Sequence, residues 1–276
     1  VLRSISRSST SAWVVWTINM TGLSGTLQER YSRQIRLPAF GEEAQQRLVE
    51  ARVLIIGMGG LGSPASLYLA SAGVGHLVLS DFDCVELSNL QRQIVHREGS
   101  IGEPKAISAR QTLEAVNSSI RITAIDWQLD DNELEEQIAA ADVVLDCSDN
   151  FETRFQVNAS CFHNGTPLVS GAAIRMEGQL ASFDPGQDVS PCYHCLYGDE
   201  AGFAETCALE GVLSPVVGVI GTLQALEAVK LITGVGETLV GKLLLFDALG
   251  GGFQQLTLPR DPGCPVCSER FTTNNK

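Results

Sequence analysis

The stretch Leu54 to Gly75, LIIGMGGLGSPASLYLASAGVG, constrains this chain more than any other. An apolar run ends at Gly57, glycines at 57, 59 and 62 follow in the pattern GxGxxG, and a helix-forming segment runs from Pro64 to about Ala72. A strand, a tight turn and a helix satisfy that order. Glycine permits the turn and close backbone approach, and the free N–H groups at a helix start favour a phosphate. HLVLSDFD reads as a second strand, and the βαβ spacing requires it to run parallel to the first.

The glycines alone do not separate NAD from ATP. Asp81 closes the second strand 24 residues after Gly57, where a carboxylate can accept from a ribose of either. The polar loop DFDCVELSNLQRQ then carries Asp83, Glu86, Ser88, Asn89, Leu90, Gln91, Arg92 and Gln93, and Lys105 follows in GEPKAIS. The formal net charge of −13 argues against nucleic acid as the main partner. Basic residues gathered behind a glycine turn in so acidic a chain suit a triphosphate, whose charge is met by Arg, Lys and a metal ion. Glu86 reads as solvated surface charge, and Arg92 taken alone could be the same.

Strands alternate with helices along the chain. IRITAID, ADVVLDCSD and PLVSGAAI read as strands, with helices near Lys105–Val116 and Asn132–Ala140 between the early ones. EGQLASFDP and KLLLFDAL add strands in the second half, and GTLQERYSRQIRLPAFGEEAQQRLVEA precedes the first strand as a helical segment broken near Pro38 and Gly41. The expectation is an α/β fold: a doubly wound, Rossmann-like, mainly parallel sheet with additional strands in the C-terminal half. A single domain over 20–276 is expected, with a nucleotide-binding half at about 50–150. Residues 1–19, VLRSISRSSTSAWVVWTIN, read as a poorly ordered or non-native extension upstream of a natural start at Met20. The apolar segment Val216–Gly234 carries Gln224, Glu227 and Lys230 and reads as a buried helix, not a membrane span. A cytoplasmic protein without a membrane partner is expected.

Eight cysteines are present. PCYHC (Cys192, Cys195) and GCPVC (Cys264, Cys267) are CxxC turns 72 residues apart. One such turn could be a redox pair, whereas two suit a closed, structural tetrahedral zinc site. His194 is not expected to join it. Cys147 and Cys161 lie in apolar segments and read as core. Cys84 stays unassigned. His96 and His194 show no partner pattern in the sequence.

GMGGLG, SDFDCVELSNLQRQ, GEPKAIS, LDCSDN and PLVSGAAIRMEGQ fall in order between about Arg30 and Cys267. Together they resemble the adenylyltransferases that activate ubiquitin-like sulfur carriers, the MoeB and ThiF enzymes, and the last motif is most similar to the MoeB branch. With no rhodanese-like extension after Cys267 in this sequence, the longer eukaryotic form of the family is not expected. The resemblance implies ATP with Mg²⁺ and a structural Zn²⁺, with a carrier-binding and zinc half at about 165–270. It implies that Gly57, Gly59, Gly60 and Gly62 hold the nucleotide, that Asp81 binds the ribose, that Asn89, Arg92 and Lys105 handle the phosphates, and that Ser88, Leu90 and Gln91 belong to the nucleotide site. Asp149 would bind the magnesium with Asn150 beside it, and Arg33, in RYSRQI, would reach the triphosphate across a homodimer interface. Cys207, in AETCALEG, sits where a cysteine in the wider family can form a covalent link to the carrier or to a sulfur donor, although the resemblance implies that MoeB-like members do not need it for adenylation.

The implied reaction joins the C-terminal glycine carboxylate of a MoaD-like carrier to AMP and releases pyrophosphate, for molybdenum cofactor synthesis. A ThiS-like carrier for thiamine is the rival within the class. The residues suit this chemistry: a carboxylate of pKa about 3.5 is already a nucleophile at pH 7 and requires no general base. Asp149 could instead cap the next helix, and Asp146 reads as structural. A carboxylate-activating enzyme of tRNA modification is disfavoured by the paired CxxC turns and the acidic charge. An NAD-dependent oxidoreductase lacks a visible catalytic constellation, and a zinc-stapled binding module would not need every cation.

Overall fold

The computed structural model describes residues 23–198 and 210–268. Residues 1–19, Met20 and Cys207 lie outside the described residues. Helices α1 (Gly25–Ile35) and α2 (Gly41–Glu50) come first, separated at Pro38 as the sequence suggests. β1 (Arg52–Ile56), α3 (Gly62–Ala72) and β2 (His76–Ser80) form the βαβ unit, with Arg52 opposite His76 and Ile56 opposite Ser80 in parallel register. After α4 (Lys105–Val116), β3 (Arg121–Ile125) pairs on the outer side of β2.

The chain then reverses its direction of growth. Helix α5 (Asp131–Ala139) leads to β4 (Val143–Asp146), which pairs with the other side of β1. Helix α6 (Phe151–Asn164) leads to β5 (Leu168–Ile174), the last parallel strand. β6 (Glu177–Phe183), β7 (Lys242–Asp247) and β8 (Gly252–Thr257) complete the sheet in antiparallel pairing. The short α7 (Tyr193–Tyr197) and the long α8 (Ser214–Thr233) lie between β6 and β7. The eight-stranded sheet is therefore mixed, in the order β3-β2-β1-β4-β5-β6-β7-β8. The strand order switches direction between β1 and β4, where open α/β sheets form a crevice at their carboxyl ends.

The central strands are mostly apolar on both faces, and every residue of β4, and all of β1 and β2 after the first, is buried. One face packs against α3 and α8, the other against α5, α6 and the cysteine pairs. Strand β8 was not legible in the sequence. All six of its residues are exposed, so GFQQLT has no buried face to impose an alternation.

Among the described residues α8 is the one helix long and apolar enough to cross a membrane. Its length and composition do not argue against a span, so the reading rests on its polar residues. Gln224 is wholly buried, and Glu227 is 3 % exposed. One Glu227 oxygen accepts from Ser182 Oγ at 2.9 Å and from Leu239 N at 2.8 Å, and the other pairs with the Lys230 ammonium. A carboxylate with three partners in the core ties α8 to β6 and to the approach of β7. Glu227→Leu strands those partners and is expected to lower the midpoint of thermal unfolding by roughly 5–15 °C. An unchanged midpoint in calorimetry would refute this assignment.

Candidate active site

The glycine turn is built by backbone collision. A Cβ at Gly57, where φ is +90°, would stand 2.8 Å from the carbonyl oxygen of Cys147. One at Gly62 would stand 2.0 Å from the carbonyl oxygen of Gly57. Only hydrogen fits at either position. No side chain caps α3 and its first turn holds no acid, so its positive end is open to an anion.

Asp81 braces this turn. Its carboxylate accepts from the N–H of Met58 at 2.7 Å and from that of Asp83 at 2.9 Å. Burial raises its pKa, against the Lys105 ammonium and those two amides. The brace is a second role beside the expected ribose contact, and each oxygen keeps a lone pair for a hydroxyl. Lys105 arrives because 83–85 and 102–105 pair: Lys105 N donates to Asp83 O, Val85 N to Glu103 O, and Gly102 N to Val85 O, at 2.8, 2.9 and 2.9 Å. The Lys105 side chain is 9 % exposed, and its ammonium meets Asp83 Oδ2 at 2.8 Å.

The polar loop folds back over the turn. Arg92 Cγ lies 3.4 Å from where a Gly60 Cβ would be, and Gln93 Nε2 3.5 Å from the same point at Gly59. Asn89 is buried, and its Oδ1 accepts from Glu86 N at 3.2 Å, holding the loop's own turn. Ser88 and Gln91 are exposed, and Leu90 is half-buried. His96 corrects the sequence reading, which found it no partner. It is buried, with Nε2 at 2.9 Å from Met58 O and Nδ1 at 3.0 Å from Ser108 Oγ.

Asp149 projects from the turn after β4, whose Cys147 and Ser148 lie against Gly57. It is exposed. The alternative of Asp149 as the next helix's cap does not hold: Asn150 caps α6, its Oδ1 accepting from Thr153 N at 2.9 Å. That leaves the Asp149 carboxylate, a hard oxygen donor suited to Mg²⁺, outside the cap. Asp146 is wholly buried, accepting from Ser148 N and Oγ and from Ser170 Oγ. Gln224 Nε2 donates to Asp146 O at 2.8 Å, and the Arg154 guanidinium donates to Ser148 O. Burial alone would lower the Arg154 pKa; Asp146 and the phenols of Tyr193 and Tyr197 outweigh it and raise it. Arg154 and Gln224 were missed because nothing local marks them. Their partners are distant in sequence or behind the turn.

Arg92, Lys105, Asp81 and the Asp149 turn thus gather around Gly57–Gly62, and Arg33 does not. In its own chain α1 packs at the far end of α3: Tyr31 fills the space beside Gly73, and Gln34 Nε2 donates to Ala72 O at 3.0 Å. The 11 residues of α3, about 16 Å of helix, separate that end from the turn.

On the far side of α6 the four CxxC sulfurs converge. Sγ separations are 3.8 Å for Cys192–Cys195, 3.5 Å for Cys192–Cys264 and 3.5 Å for Cys195–Cys267, and all four lie within 4.8 Å. Tetrahedral zinc with bonds of about 2.3 Å sets sulfurs about 3.8 Å apart, so the donors and spacing fit a closed zinc site. Burial, foremost, raises the pKa of the Cys267 thiol, and a bound metal ion deprotonates thiols of this kind. His194 Nδ1 stands 3.8 Å from Cys264 Sγ, beside the cluster.

The ThiF family model matches residues 31–266. The chain is 51% identical over 250 residues to a molybdopterin-synthase adenylyltransferase of Escherichia coli, covering 91% of this chain and all of that one. It is 49% identical over 238 residues to the sulfur carrier protein ThiS adenylyltransferase of the same organism, covering 86% and 94%. The fold is similar to E. coli MccB crystallised with ATP, at a TM-score of 0.77 and 25% identity over 86% of this chain and 73% of that one.

Two outcomes are expected of these groups. Metal analysis finds zinc bound, and chelation or Cys264→Ser lowers the free energy of unfolding by more than the roughly 0.5 kcal/mol of an ordinary surface change. A metal-free protein of undiminished stability would overturn the site. Burial, foremost, lowers the pKa of both His76 and His96. The unfolded imidazoles, near pH 6.5, then bind more protons than the folded ones, so stability falls as pH drops through that value and is unaffected well above it. His96→Gln should flatten this slope in a series of melts. An unchanged slope would show that His96 does not contribute to it.

Proposed function

The chain belongs to the ThiF family, and from that premise we propose that it is an ATP-dependent adenylyltransferase acting on the C-terminal glycine carboxylate of a small ubiquitin-like sulfur-carrier protein. The observation that carries this reading is the end-to-end similarity to the molybdopterin-synthase adenylyltransferase. The gathering of Arg92, Lys105, Asp81 and Asp149 around an uncapped helix start supports it.

The nucleotide lies with its phosphates over Gly57–Gly62 and its ribose toward Asp81. One oxygen of the carrier's carboxylate attacks the α-phosphorus. The bond from that phosphorus to the bridging oxygen breaks, and the electron pair leaves with pyrophosphate, giving the acyl-adenylate. No proton moves, so the chain's part is positioning and charge. Lys105, almost out of water, acts at low effective dielectric and exchanges its hold on Asp83 for a phosphate. Arg92 meets the outer phosphates. A magnesium ion at Asp149, when bound, supplies further neutralisation of the phosphate oxygens. Arg33 lies too far from its own turn and acts on the nucleotide of a second copy in a homodimer. The four cysteines hold a structural zinc.

The carrier serves molybdenum cofactor synthesis in this reading. The similarity to the ThiS adenylyltransferase favours a thiamine carrier as the second reading. Exchange of labelled pyrophosphate into ATP, run with Gly-Gly-ended carriers of both kinds, decides between them. Exchange is expected with a MoaD-like carrier and is reduced roughly 10²–10³-fold in Lys105→Ala and Asp149→Ala. Exchange that survives Asp149→Ala removes that residue from the metal site, and no exchange with any carrier overturns the proposal.

A further inference from the structure

Met58, the second residue of the glycine turn, is held from two sides. Its N–H donates to Asp81 Oδ2 at 2.7 Å, and its carbonyl oxygen lies 2.9 Å from His96 Nε2. A carbonyl oxygen only accepts, so Nε2 carries the ring proton. On the other side of the ring, Nδ1 faces Ser108 Oγ at 3.0 Å, which is in turn 3.0 Å from Ser100 Oγ. Hydroxyls donate or accept by rotating, so that side adapts to the ring while the Nε2 contact does not change. Burial at 6 % exposure shields the bond from competing water.

The bond has a geometric consequence. A trans peptide unit is planar, and its C=O and N–H point in opposite directions. With the Met58 oxygen turned toward His96, the N–H of Gly59 in the same unit is turned away from it. Gly59 lies three residues before α3, whose start no side chain caps, so an N–H turned away from His96 there can join the donors this helix end offers an anion.

We infer that His96 is a positioning residue: by holding the Met58 carbonyl it aims the Gly59 N–H at the nucleotide's phosphates. It touches no substrate and passes no proton. The inference rests on the reading of the turn as an ATP site.

The test measures equilibrium binding of ATP to the full-length protein, with unfolding midpoints alongside. His96→Gln places an amide N–H near the position of Nε2, and His96→Asn places one near Nδ1, out of reach of Met58. Gln is expected to keep the dissociation constant for ATP within about threefold of the parent, and Asn to weaken it about tenfold, the effect of losing one oriented donor. In carrier-dependent exchange Asn should raise KM for ATP by a similar factor and leave KM for the carrier unchanged. A merely structural histidine would instead lower the midpoint in both variants and leave binding by the folded protein alone. Asn binding as tightly as the parent, or Gln and Asn weakened alike, overturns the inference. A parent protein that binds no ATP overturns the underlying reading instead.

Discussion

The site depends on the close approach of two backbones, Gly57 just past β1 and Cys147 just past β4. It follows from adjacent parallel strands in register, Val53 beside Val143 through Ile56 beside Asp146. Both strands stop at the same level, and both turns open on the same side of the sheet. The glycine turn and the acidic turn are therefore one surface made from segments some ninety residues apart in the chain, and a side chain at Gly57 would force them apart. The polar loop after β2 ends on the same level and closes the surface from the third side.

A chain of buried contacts ties that surface to the cysteine cluster. Tyr193 stands between Cys192 and Cys195, and its ring packs edge-on against Phe155 at 5.4 Å and tilted against Tyr197 at 4.7 Å. Tyr193 also hydrogen-bonds Arg154, whose guanidinium reaches the carbonyl of Ser148 in the acidic turn. Its counter-charge is Asp146, wholly buried at the end of β4. A buried charge is tolerable only with such partners. The four sulfurs, remote from the turns themselves, thus help to fix where the Asp149 turn sits.

What the sequence disclosed was whatever is local. The strand, turn and helix around Gly57–Gly62 and the paired cysteines are short patterns whose geometry is set within a few residues. The edge strand β8 carries no pattern, since solvent does not select a face. Which of two adjacent residues, Asp149 or Asn150, caps α6 depends on where the helix begins, a boundary that sequence leaves open by a residue or two. The partner of His96 is a carbonyl 38 residues away, and carbonyls leave no mark in a sequence. The remoteness of Arg33 from the turn needed the packing of α1 against the far end of α3. The resemblance to a family pointed to Asp81 as an expected ribose contact but not to its bracing of the turn.

The two bonds on Met58 bear on the thermodynamics of any ligand that settles there. A loop that must be ordered on binding loses backbone freedom worth about 1–2 kcal/mol per residue, and that loss is subtracted from affinity. Here the peptides on either side of Met58 are already immobilised by Asp81 and His96. Their entropy is surrendered during folding, so that part of the ordering cost is not subtracted again when an anion meets the turn.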